Sequence, residues 1–344
     1  MKHVLVVRND KIGDFMLAWP ALALLKQAGC KVTVLVPSYT VDLAHVCPYV
    51  DGVILDPGKD APFEQQKELL AAVSAAEFDA ALTLYSTWRT GVLLRQAGIA
   101  YRLAPATKFA QILYTHRLVQ RRSRSDKPEW EYNLELAATL LKDLQLPIGY
   151  VGAPYWTFDP QAVAARRQQL AGSLSLPIDR RWVMVHIGSG GSANNLSLAQ
   201  YEALIVSLAA RMPASVFVLT AGPGEEGLVG HVLANLFNRR VPVAMISPEK
   251  LVDFGLTIAT ADVFMAGSTG PLHMAGALDV PTVGFYTRRR SATSVRWQTL
   301  NSPGTRLAIS PTADMADPEK FDELDLEAVA TQVSDWVASL PFKG

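Results

Sequence analysis

Val4-Leu5-Val6-Val7-Arg8-Asn9-Asp10-Lys11-Ile12-Gly13-Asp14 is the stretch on which the fold turns. Four branched aliphatic residues in a row, with no polar alternation, read as a strand buried on both faces of a parallel sheet. Beyond Gly13-Asp14, apolar residues return at roughly helical spacing at Phe15, Leu17, Ala18, Leu22, Leu24 and Leu25, and Gly29 closes that helix. A strand, a charged loop and a helix open a βαβ unit. The alternation continues outward with strands expected over 31–36, 53–55 and 80–84 and a helix over 63–76.

The stretch 146–160, which holds Pro147, Pro154, Pro160, Gly149 and Gly152 and follows no period, reads as a linker. After it the alternation restarts. Helices are expected over 160–170, 198–211, 225–235, 250–259 and from Pro271, with strands at 182–187, 215–219, 243–245, 263–265 and 282–285. Two doubly wound α/β halves result. The expected domains are 1–150 and 151–344, because a single core stops growing near ~250–300 residues and the chain has 344. Leu326, Val329, Val333, Trp336, Val337 and Leu340 form an apolar stripe at helical spacing. This C-terminal amphipathic helix either closes the second domain or packs back on the first.

Basic and acidic residues balance at 32 each. That removes the surplus a nucleic-acid protein needs to displace counterions, so no nucleic-acid partner is expected. Cys30 and Cys47 have neither disulfide nor metal-ligand spacing and read as small buried hydrophobes. No apolar run approaches the ~20 residues that span a bilayer, and no signal segment stands out, so a cytoplasmic protein is expected.

Ligands of open α/β sheets bind beyond the carboxyl ends of the strands. Three loops there carry suitable groups. Arg8–Asp14 has one glycine where a dinucleotide fingerprint needs three, which disfavours a nicotinamide enzyme. Its Asp14 reads either as an ordinary helix cap or as a catalytic carboxylate, the two being compatible. His186-Ile187-Gly188-Ser189-Gly190-Gly191-Ser192 offers backbone amides for an anion nest, or is simply a flexible loop. Ala266-Gly267-Ser268-Thr269-Gly270-Pro271 precedes a helix whose N-terminus suits a phosphate, with His273 beside it.

These residues, in this order, resemble the ADP-heptose:lipopolysaccharide heptosyltransferases. The similarity lies in 4–26, with Arg8, Gly13-Asp14, Pro20 and Leu25-Lys26, and in 267–286 (GSTGPLHMAGALDVPTVGFY). His186-Ile187-Gly188-Ser189, Ala221-Gly222-Pro223-Gly224-Glu225-Glu226 and Arg296-Trp297 fall in family order. The resemblance implies a GT-B architecture, two Rossmann-like domains facing a central cleft, an inverting mechanism and no metal or other cofactor. By position, Asp14 matches the general base. Gly188, Ser189, Asn194, Ser268, Thr269, Gly270 and His273 fall around the donor's diphosphate, and Glu225 or Glu226 near its ribose. Two positions depart from the family pattern: Ser268 stands where the family usually has Asp, and Asn194 lies where it usually has Lys.

Transfer would then proceed by direct displacement, with Asp14 taking the acceptor's proton and backbone amides of Gly188–Ser192 and Ser268–Gly270 meeting the leaving diphosphate. An anionic glycolipid or oligosaccharide acceptor fits the basic residues of the first half: Arg8 and Lys11 beside Asp14, and Lys108, Arg117, Arg121, Arg122 and Arg124 among Phe109, Tyr114 and His116. A solvated basic face is the simpler reading of that cluster. Arg288-Arg289-Arg290 suits phosphate or a membrane surface, and peripheral contact with the inner face of the membrane is expected. The alternatives are a GT-B transferase or epimerase using a UDP- or GDP-sugar, and an inactive nucleotide-sugar binding protein.

Overall fold

The computed structural model describes residues 1–107, 109–188, 194–248, 250–312, 317 and 319–342. It divides into two compact units, Met1–Tyr155 and Trp156–Gly344, the change falling inside the proline-rich stretch.

The first unit contains β1 (His3–Val7), α1 (Ile12–Met16), α2 (Trp19–Gln27), β2 (Lys31–Pro37), α3 (Val41–Val46), β3 (Gly52–Asp56), α4 (Phe63–Ala75), β4 (Ala80–Thr83), α5 (Trp88–Gln96), β5 (Tyr101–Pro105), β6 (His116–Leu118) and α6 (Glu129–Asp143). All strands are parallel, in the order β3-β2-β1-β4-β5-β6. Alternation along β1 sends Leu5 and Val7 into a core with Leu69 and Val73 of α4 and Leu93 and Leu94 of α5. Val4 and Val6 point to the other side of the sheet, and α2 packs on α6.

The helix expected through Phe15–Leu25 is two helices. Pro20 has no amide hydrogen and its ring clashes with the carbonyl four residues earlier, so the chain breaks at Leu17-Ala18 and α2 starts with Pro20 in its first turn. The break exposes the Leu17 carbonyl, which accepts from Asn133 Nδ2 of α6 at 3.0 Å. Gly29, at φ +80°, ends α2 with a Schellman pair, Cys30 N–H to Leu25 O and Gly29 N–H to Lys26 O. Cys30 and Cys47 are buried and free.

The second unit contains α7 (Pro160–Leu174), β7 (Arg181–His186), α8 (Leu198–Arg211), β8 (Ser215–Thr220), α9 (Glu226–Asn238), β9 (Val243–Ile246), α10 (Leu251–Ala259), β10 (Val263–Gly267), α11 (Gly270–Ala277), β11 (Thr282–Phe285), β12 (Arg306–Ile309) and α12 (Leu326–Ser339). Its parallel sheet runs β12-β11-β10-β7-β8-β9, the same relative order as the first. Val183, Val185, Phe217, Leu219, Val263 and Met265 face helices α8, α9 and α12 in one core. Each fully buried aliphatic side chain of this kind contributes about 1.5–3 kcal/mol. α12 buries Val329, Ala330, Val333 and Val337 in that core, and its end is tied by Arg181 to the Val337 carbonyl. It thereby closes the core of the second unit.

Candidate functional site

Each sheet reverses its winding between two neighbouring strands, β1 and β4 in the first unit, β7 and β10 in the second. Crevices beyond the carboxyl ends of the strands open at such switch points, and most of the loops singled out in the sequence lie at one of them.

In the first unit the residue that organises the crevice is Arg8, which follows β1 and is 2% exposed. Its Nη2 lies 2.5 Å from Asp14 Oδ1, its Nε 2.8 Å from Asp10 Oδ1 and its Nη1 3.2 Å from Glu129 Oε1. Nη1 also reaches Asn133 Oδ1 at 3.4 Å. Glu129 opens α6 and Asn133 follows one turn later, so both face Arg8 from one side of that helix. Glu129 also accepts from Arg122 Nη1 at 2.8 Å, and Arg122 binds the Leu84 carbonyl at the end of β4. Burial alone would lower the Arg8 pKa; Asp10, Asp14 and Glu129 more than offset it and raise it, so Arg8 is a permanent cation.

Three expectations change here. Arg8 is no acceptor-binding cation, since its charge is consumed by buried carboxylates. Arg122 is likewise committed to Glu129 and Gln120. Asp14 is not a helix cap: the cap position of α1 is Lys11, which makes no side-chain cap bond, and Asp14 sits in the first turn, bonded to Arg8 with 13% of its side chain exposed.

Asp10 is the electrostatic oddity of the cluster. Burial, with Asp14 and Glu129 beside it, pushes its carboxyl up to about 7 against the pull of Arg8. Ionised Asp10, Asp14 and Glu129 outweigh Arg8 and Arg122 by one negative charge; a proton on Asp10 removes it. Alongside, Asn9 Nδ2 reaches Asp56 at 2.6 Å, and Arg89 grips Asp56 at 2.6 and 2.9 Å, which ties the end of β3 to α5. Tyr39 donates to the Asp10 carbonyl at 2.7 Å. Lys11 is exposed.

In the second unit, β7 ends at His186, whose Nδ1 lies 2.9 Å from Thr220 Oγ1 and whose pKa is lowered by burial. Beyond it Gly188 meets the Glu225 carboxylate so closely that an added Cβ would sit 1.7 Å from Glu225 Oε2. Glu225 also accepts from the Gly222 amide at 3.0 Å. Glu226 is exposed and accepts from Ser247; amides at 226 and 224 and that hydroxyl hold its carboxyl below the usual range. Glu225 thus belongs to the strand ends and Glu226 to the surface. Ser189 and the rest of the nest through Ser192 lie outside the described residues.

Thr269 is the cap position of α11 but makes no side-chain cap bond. Its Oγ1, His273 Nδ1 and Thr287 Oγ1 are buried with no hydrogen-bond partner among the described residues. Leaving such groups unmet costs roughly 1–3 kcal/mol each, so a ligand that accepts from them is the economical explanation. Burial pushes His273 down to about 4, and its neutral ring can offer an N–H. The expectation that all Ser268–Gly270 amides face a diphosphate is corrected: Ser268 N–H donates to Phe285 O and Thr269 N–H to Gly267 O. Gly270 and Leu272, in the first turn of α11, have no intrahelical carbonyl to donate to. Asn194 is exposed, its amide donating to the Glu319 carbonyl at 3.1 Å.

Lys108 lies outside the described residues. Arg117, Arg121 and Arg124 are exposed, with no ion pair among the described residues. Arg289 pairs with Glu319 at 3.5 Å. Sequence reasoning missed Glu129, Asn133, Asp56 and Arg89. The Glu-x3-Asn spacing directly after Pro128 was the available signal; nothing local pairs Asp56 with a residue thirty-three positions away.

Against solved structures, the chain matches E. coli ADP-heptose lps heptosyltransferase II with a TM-score of 0.76, at 17% identity, over 98% of this chain and 99% of that one. E. coli heptosyltransferase WaaC with ADP follows at 0.73 and 17% identity, covering 97% and 99%. The paired sheets are those of a GT-B glycosyltransferase. A provisionally named glycosyltransferase of Haemophilus influenzae is 44% identical over 343 residues, 99% of this chain and 98% of that protein. Glycosyltransferase family 9 (heptosyltransferase) matches over residues 67–320, and the chain belongs to that family.

Proposed function

We propose that this glycosyltransferase moves a heptose from ADP-heptose to a lipopolysaccharide core or related anionic glycolipid, with inversion at the anomeric carbon. The reading is carried by the Arg8-anchored carboxylates at the β1/β4 switch point. An acceptor hydroxyl does not ionise near neutral pH, so a positioned carboxylate that takes its proton contributes ~10²–10⁴-fold. Asp14 is that base. The acceptor oxygen bonds to the anomeric carbon, the bond from that carbon to the diphosphate oxygen breaks, and ADP leaves with the electron pair.

The donor's diphosphate is assigned to the second unit, where the Thr269 and Thr287 hydroxyls, the His273 N–H and the first-turn amides of α11 supply donors, with the Gly188–Ser192 amides. Such donors act strongly because they are fixed before charge develops. Glu225 is assigned to the ribose. The reading needs no metal or other cofactor. Lys11, Arg117 and Arg121 attract the anionic acceptor, and the protein works peripherally on the inner face of the membrane. Among the described residues no helix is long and apolar enough to cross one.

The test is turnover with ADP-, UDP- and GDP-sugars, alongside Asp14→Asn. Turnover within tenfold of wild type in that variant, with donor affinity intact, would remove the base assignment. Ser268 and Asn194, where the family usually carries Asp and Lys, favour a second reading: a GT-B transferase or epimerase using a UDP- or GDP-sugar. Affinity for a nucleotide sugar without turnover would instead identify a binding protein.

A further inference from the structure

The segment 101–126 carries six Arg or Lys and one carboxylate, Asp126, in a chain whose charges balance overall at 32 of each sign. Within it, Phe109–Leu113 is a short 3-10 helix. Three residues per turn put Ala110 and Leu113 on one side and Phe109 and Ile112 on the other. Leu113 seats against α5 at Gly91, where an added Cβ would lie 2.8 Å from its Cβ and Cδ1. Arg102 Nε holds the Leu113 carbonyl at 3.0 Å. That anchoring turns the opposite side outward, leaving Phe109 87% and Ile112 66% exposed. The chain then returns as β6, the sheet's edge strand. Ala106 N–H donates to Leu118 O at 2.8 Å, bringing Val119, 77% exposed, beside the start of the same loop. Arg117 lies in that strand and Val119 directly follows it, both exposed.

Single exposed apolar residues are ordinary; three held outward in one eleven-residue span, beside arginines with no ion pair among the described residues, are not. We propose that Phe109, Ile112 and Val119, with Arg117, Arg121 and Arg124, form a surface that docks on an anionic lipid bilayer. The arginines meet lipid phosphates while the three apolar side chains enter the boundary between headgroups and acyl chains. The proposal deepens the glycolipid reading, on which it rests for the choice of a membrane as occupant.

The test is cosedimentation of the full chain with phosphatidylcholine vesicles, with and without phosphatidylglycerol. Binding is expected only with phosphatidylglycerol, falling as salt rises. The variant Phe109→Ser/Ile112→Ser/Val119→Ser, at unchanged melting temperature, is expected to partition about tenfold more weakly. Arg117→Gln/Arg121→Gln/Arg124→Gln is expected to lose the preference for phosphatidylglycerol. No partition, equal partition on both vesicles, or an unaltered apolar variant overturns the proposal. So does a lipid-free dimer that the apolar variant abolishes, which would give this face to a second copy. A thermal shift with ADP in the same preparations reads the donor assignment separately. Vesicle binding without that shift keeps the surface and removes the donor; the shift without vesicle binding does the reverse.

Discussion

Arg8 Nη2 stands 2.5 Å from Asp14 Oδ1, and the guanidinium that makes this contact is itself almost wholly buried. The Asp14 carboxylate is therefore oriented from behind by a cation that solvent hardly reaches, and Asp10 and Glu129 hold that cation in turn.

Removing Arg8 should be costly for a reason separate from catalysis. Arg8→Met leaves three carboxylates around a buried gap, and breaking a buried ionic cluster typically costs about 3–5 kcal/mol. Arg8→Lys keeps the charge but replaces a planar fork with one ammonium, which cannot meet three carboxylates at once. We expect Arg8→Lys to fold with a lowered melting temperature and a kcat at least about tenfold below wild type. Wild-type kcat and melting temperature in Arg8→Lys would mean that the fork does not orient Asp14.

Asp10 gives the first unit a pH signature. With its carboxyl pushed up to about 7, it is mostly protonated below that pH and charged above it. Above pH 7 a second negative charge joins Asp14 and strengthens the pull on an acceptor proton, so kcat/KM is expected to rise through about 7. Asp10→Asn should erase that inflection while Asp14 remains in place. An inflection near 7 that survives in Asp10→Asn belongs to another group.

The architecture was largely legible because parallel strands buried on both faces leave uninterrupted apolar runs such as Val4–Val7 and Val263–Met265. What escaped was whatever depends on a distant partner. β6 is three residues long and β12 has an exposed residue in its middle, so neither carries a buried-strand signal. Pro20 is visible, yet the apolar periodicity runs straight through it. The charges of Arg8 and Arg122 are visible too, but local sequence does not show that Glu129 pairs with both.

Thr269 separates stability from binding. Its hydroxyl is buried without a partner among the described residues and does not cap α11, whereas Val has nearly the same shape. Thr269→Val is expected to raise the stability of the ligand-free protein by about 1 kcal/mol and to weaken ADP binding about tenfold. Calorimetric unfolding and ADP titration on one preparation decide it; lower stability with unchanged affinity would show that the hydroxyl serves the fold.

His273 predicts a loss of stability in acid. Its pKa falls from 6.5 when unfolded to about 4 in the native protein, because burial disfavours the charged ring. Between those values the unfolded chain binds the extra proton, so stability drops as pH falls from 6.5 towards 4. Asp10 acts with the opposite sign, favouring the native state as pH falls through 7. Comparing His273→Gln with wild type isolates the histidine: the variant's unfolding free energy should lose less between pH 6.5 and 4. Parallel curves for the two proteins would show that His273 does not titrate as its burial requires.

Gly188 and Glu225 make the sharpest test of the second half-site. A methyl group at 188 would lie 1.7 Å from Glu225 Oε2, so Gly188→Ala must displace that carboxylate or bend the strand end. If Glu225 contacts the ribose, Gly188→Ala and Glu225→Ala should each weaken ADP binding, and the double variant should be little worse than either alone. Residues that act through one contact give such non-additive cycles, with interaction energies of about 0.5–3 kcal/mol. Additive losses would mean that Gly188 acts through the backbone it leaves open to the diphosphate rather than through Glu225. Unchanged affinity in Glu225→Ala would take the ribose away from that carboxylate.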